Sequence, residues 1–66
     1  MKLWIFLFPC DPAYRSARVA AHGKCEARLL LQSALSTEID PSAICIYAGS
    51  LEAAEGVLEL VPRSAP

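Results

Sequence analysis

Histidine, close cysteine pairs and long apolar runs are the scarce features of this sequence. His22 is the one histidine, so imidazole chemistry has a single candidate base. A nucleophile pair of His22 with Cys25 would need an orienting third group and oxyanion donors, and the spacing supplies neither. His22 therefore reads as a strand-end histidine beside a helix start. No phosphate loop, dinucleotide fingerprint or nucleophile elbow occurs. Glu52 and Glu55 resemble paired carboxylates, but in a polar turn they read as solvated. An enzyme is not expected, no catalytic residue is assigned, and no cofactor is implied.

The three cysteines, Cys10, Cys25 and Cys45, are odd in number, widely spaced and form no CxxC. A small secreted disulfide domain carries an even, denser set. A reducing, cytoplasmic compartment is expected, with three free thiols, at least two of them in the core. Cys10, His22, Cys25 and Cys45 can be written as a CHCC metal set. Structural zinc sites bring ligands in two tight pairs and only one pair exists here, so no metal is expected. No segment approaches the roughly 18 apolar residues of a membrane span. The opening MKLWIFLFPC has the order of a lipoprotein signal. Its apolar run of about six residues is shorter than the roughly 7–15 of a signal, and Pro9 is a poor cleavage context.

What the chain does have is apolar residues, at 55% of 66. One domain of this size buries only about 60% of the surface that its unfolded form exposes. So large an apolar share points to a second burial partner, another copy or a different protein. The net charge of −1 argues against direct nucleic-acid binding, which favours a basic surface. Lys2, Arg15, Arg18, Lys24 and Arg28 lie in residues 1–36 beside only Asp11 and Glu26. Residues 37–62 carry Glu38, Asp40, Glu52, Glu55 and Glu59 and no basic residue. That half is either an unevenly solvated surface or an acidic patch for a basic partner.

Local patterns give an order of two strands, a helix and two strands. Lys2–Phe8 (KLWIFLF) is a strand apolar on both faces, which suits a central position. Asp11-Pro12 marks a turn, and Arg15–His22 a second strand with Ala17, Val19 and Ala21 on one face. Gly23–Ser36 is a helix with Ala27, Leu30, Leu31, Ala34 and Leu35 as its stripe and Glu26 in its first turn. Asp40-Pro41 ends any helix before it. Ala43–Ala48 is a third strand, Leu51–Glu55 a helical turn, and Val57–Val61 a fourth strand. The propensity of LEAAE leaves a continuous helix from Ser50 to Leu60 as the alternative. The expected fold is α+β: a small antiparallel sheet in ββαββ order with one helix on one face. It forms a single domain over 1–62, with 63–66 a frayed tail. Part of that tail belongs to LVPRS, which resembles a thrombin-type linker.

One helix covers one face of a sheet. Leu3, Ile5 and Leu7 match the Leu/Ala stripe in size, which leaves Trp4, Phe6 and Phe8 on the uncovered side with Tyr47. Exposed aromatics suit an interface. The reverse arrangement puts the rings under the helix and the aliphatics outside. Either way one apolar face needs a cover.

MKLWI, ARVAAHGKCEARLL and IDPSAICIYAGSLEAAEGVLEL resemble a family of small uncharacterised bacterial proteins. The matching marks are Val19/Ala21, Glu26-Ala27, Asp40-Pro41 and Glu55-Gly56, while Gly23-Lys24-Cys25 replaces acidic residues at the helix start. The resemblance implies a fold and no activity. Size and element order are also similar to those of small anti-CRISPR proteins, phage-encoded inhibitors of the Cas machinery. The expected function is a non-enzymatic protein-binding module, an inhibitor that occludes a partner such as a Cas complex. The expected contacts are Trp4, Phe6, Phe8, Tyr47, Glu38, Asp40, Glu52, Glu55 and Glu59. A structural homodimer is the alternative, and no membrane contact is expected.

Overall fold

The first strand decides the architecture, because both of its neighbours are strands and its two faces meet different surroundings. The computed structural model describes residues 1–64. Its elements are β1 (Lys2–Leu7), β2 (Tyr14–Ala21), α1 (Lys24–Leu35), β3 (Ile44–Ser50) and β4 (Gly56–Pro62). They build one four-stranded antiparallel sheet in the order β3-β1-β2-β4, with the helix between β2 and β3 in sequence. The α+β class and ββαββ order are as the sequence implies.

Register fixes which residues share a face, since directly opposed residues in an antiparallel pair point the same way. Cys45, Phe6, Ala17 and Leu60 form one row across the sheet, and Tyr47, Trp4, Val19 and Val57 the next. This face carries α1. Phe6 and Phe8 are only 2% and 3% exposed, in one core with Ala17, Val19, Ala21, Ala27, Leu31 and Ile39. The aromatic face of β1 is therefore the covered face, and the expected outward placement of Phe6 and Phe8 is corrected. The reason is complementarity. Ala17, Ala21 and Ala27 are too small to fill the layer between sheet and helix, and two phenyl rings do so.

The helix stripe is narrower than its pattern suggests. Ala27 and Leu31 are buried, Leu30 and Leu35 partly so, and Ala34 is exposed. Gly23 gives α1 no side-chain cap, and Ser36 ends it in the left-handed conformation (φ 56°). The Ser36 N–H turns back to the carbonyls of Gln32 and Ser33.

The sheet order dictates the form of the segment between β3 and β4. These strands are the two edges, so Leu51–Glu55 must cross three inter-strand gaps of about 4.8 Å, roughly 14 Å. Six extended steps reach roughly 20 Å, whereas six helical steps reach only about 9 Å. The segment is accordingly irregular, with the Leu51 N–H bonded to the Met1 carbonyl at 3.0 Å. The helical turn and the alternative long helix are both corrected.

Arg63 extends the domain past its expected limit. Its backbone N–H donates to the Ala13 carbonyl (2.9 Å), Nε to the Asp11 carbonyl (2.9 Å) and one Nη to the Phe8 carbonyl (2.6 Å). It clasps the β1–β2 loop, whose Asp11 carboxylate accepts from the N–H groups of Ala13 and Tyr14. Ala65 and Pro66, part of the expected tail, lie outside the described residues.

Candidate functional site

The face of the sheet opposite α1 is built from the other residues of each strand. Its rows are Ile44, Leu7, Ser16 and Val61, then Ile46, Ile5, Arg18 and Glu59, then Leu3 with Ala20 and Gly56. β1 and β3 supply only aliphatic side chains to it. Ile44 is 52% exposed and Ile46 43%, with Leu7 also exposed and Leu3 and Ile5 half-buried. Only Ala20 on this face is fully buried. The charges sit on the β2–β4 side, where Arg18 Nε lies 3.8 Å from Glu59 Oε1. Both side chains are solvated, so the pair adds little stability but leaves the face without net charge.

The aromatic residues divide. Phe6 and Phe8 stack in the core with their ring centroids 6.5 Å apart. Trp4 is half-buried, donates its indole N–H to the Ala21 carbonyl at 3.3 Å and lies 5.4 Å from the Tyr47 ring. Tyr47 is 54% exposed at the sheet margin. The principal elements beneath α1 are β2 and β4, so β3 lies to the side of the helix.

The acidic residues are not one patch. Glu38 and Asp40 precede β3, Glu52 and Glu55 follow it at the opposite end, and Glu59 pairs with Arg18. Asp40 is held below the usual carboxylate range by hydrogen bonds from Ser42, first its hydroxyl and then its N–H (2.7 Å), which ties it to a turn. Glu55 joins Glu26, Leu29, Leu30 and Ser33 around a shallow groove of about 270 Å³. The expectation of a single acidic docking surface is corrected: β3 stands between the two loops that carry the carboxylates.

The cysteines are all free, but Cys10 and Cys25 are exposed and only Cys45 is half-buried, so the expected core thiols reduce to one. Burial pushes the Cys45 thiol up, and Lys24 and Arg28 oppose that shift. Among the described residues no cluster of His, Cys, Asp or Glu could hold a metal ion. Among the described residues no helix is long and apolar enough to cross a membrane.

Sequence reasoning held the open aliphatic face only as the reverse arrangement, and it missed Ile39 as a core residue. Ile39 is 6% exposed although it sits between Glu38 and Asp40. A lone large aliphatic in a polar loop is the signal that marks it. No family model, curated protein or solved structure matches this chain.

Proposed function

We propose that this chain is a non-enzymatic protein-binding module that docks through the aliphatic face of its sheet. The supporting observation is the row of Leu3, Ile5, Leu7, Ile44 and Ile46 on the side away from α1, with its only charges paired. Exposed aliphatic side chains gain roughly 25 cal/mol for each Å² removed from water, so a complementary surface binds there without specific chemistry. Stoichiometric occlusion of a partner's surface, as a phage-encoded inhibitor of Cas machinery would do, is the action this reading gives it. The acidic residues do not define the contact.

Affinity capture from the native host with wild-type and substituted baits tests the reading. A partner retained by wild type and by Glu38→Lys, but lost with a folded Ile5→Lys bait, supports it. Equal capture by both substituted baits sinks it.

A further inference from the structure

The two edges of the sheet are not equivalent. β4 carries Glu59, ends in Pro62, is bulged at Leu58 against β2, and has α1 packed on it. Charge, proline, bulges and a covering helix are the devices that stop edge strands from pairing. β3 (ICIYAGS) has no charge and no proline, and its one irregularity lies past Tyr47, near Gly49 with its φ of 99°. Ile44, Ile46 and Tyr47 are all exposed along it.

We infer that Ile44–Tyr47 of β3 pairs antiparallel with the same segment of a second copy, forming an eight-stranded sheet. A second copy fits because an uncharged strand meets itself without like-charge repulsion, whereas two β4 strands would bring Glu59 toward Glu59. Because only β3 is open, pairing stops at two copies. The dimer also joins two aliphatic faces into one surface. It does not depend on the docking reading, but it would double the area that reading assigns.

Parity restricts the register. Opposed residues must share a face. Ile44 and Ile46 point one way and Cys45 and Tyr47 the other. A twofold axis must therefore pass beside a residue facing its own copy. The central choices are Cys45 opposite Cys45 or Ile46 opposite Ile46. A ladder of about four residues per copy buries less than the roughly 1,200 Å² of tight complexes, so association belongs in the micromolar range.

Sedimentation at about 300 µM is expected to give a mass approaching twice 7.1 kDa. Tyr47→Lys, with its fold checked by circular dichroism, is expected to return it to the monomer mass, and Ile5→Lys to leave the dimer intact. A wild-type monomer at that concentration overturns the proposal. So does a dimer that Ile5→Lys abolishes and Tyr47→Lys spares, because that pattern means face-to-face packing. Oxidative cross-linking with diamide gives a second reading, with Cys10 and Cys25 replaced by serine. Disulfide formation through Cys45, or through Ile46→Cys with Cys45→Ser, should exceed that of an exposed Leu29→Cys control at least tenfold. Failure of both cross-links overturns the pairing.

Discussion

The two faces of β1 carry side chains of similar hydrophobicity and opposite fates. Trp4 and Phe6, with Phe8 just past the strand, point toward the helix, whereas Leu3, Ile5 and Leu7 point away from it. Hydrophobicity does not separate the sets; the volume opposite each does. The covered face meets alanines from β2 and α1, and only rings fill that space. Likeness of size between strand and helix is thus a poor guide to burial, and complementarity of large against small is a better one.

Substitution on the covered face should produce the largest effect. Phe6→Ala removes a ring that is 2% exposed and should cost about 3–5 kcal/mol. A domain of this size has only about that much stability, so the variant should be largely unfolded by circular dichroism at 25 °C. Ile46→Ala, on the open face, should cost under about 1 kcal/mol in a urea titration. Equal losses would erase the distinction between the faces.

Arg63→Ala comes next. It removes the side-chain bonds to the Phe8 and Asp11 carbonyls and should cost about 1–2 kcal/mol. Arg63→Lys should recover only part of this, because an ammonium lacks the guanidinium fork that reaches both carbonyls. Ser36→Gly acts in the opposite direction. It relieves a left-handed residue at the end of α1 and should stabilise by about 1 kcal/mol, seen as a raised urea midpoint.

The pH dependence is the smallest effect. The Cys45 thiol is raised by burial, so its un-ionised form is favoured in the fold. That contribution is fully present below the thiol's unfolded pKa and is lost as pH rises toward and through the folded value. Asp40 is lowered, so its contribution is present above the unfolded carboxylate pKa and is lost as pH falls through the folded value. Cys45→Ala and Asp40→Asn, compared with wild type across pH by urea titration, should each flatten one limb.

Element type was largely legible in the sequence because the aromatic and branched run of KLWIFLF and three- to four-residue spacing in the helix are local signals. The β3–β4 connection was not. LEAAE favours a helix locally, and only the separation of the two edge strands forces it to extend. The open face of the sheet was half legible. The surplus of apolar surface on β1 was visible, but the choice of face depends on residues from β2 and α1. The acidic half was misleading because sequence proximity crosses a strand that spaces Asp40 from Glu52.

The strand order has a consequence for how the chain is made. β1 and β2 are synthesised first and lie at the centre, while both flanking strands come from residues 44–62. Until those residues leave the ribosome, the early hairpin has two unpaired edges and a core still lacking Cys45, Val57 and Leu60. Most contacts that complete the sheet join distant parts of the chain, so folding should be slow for a domain this small. The growing chain is then most exposed to aggregation just before its last strand appears.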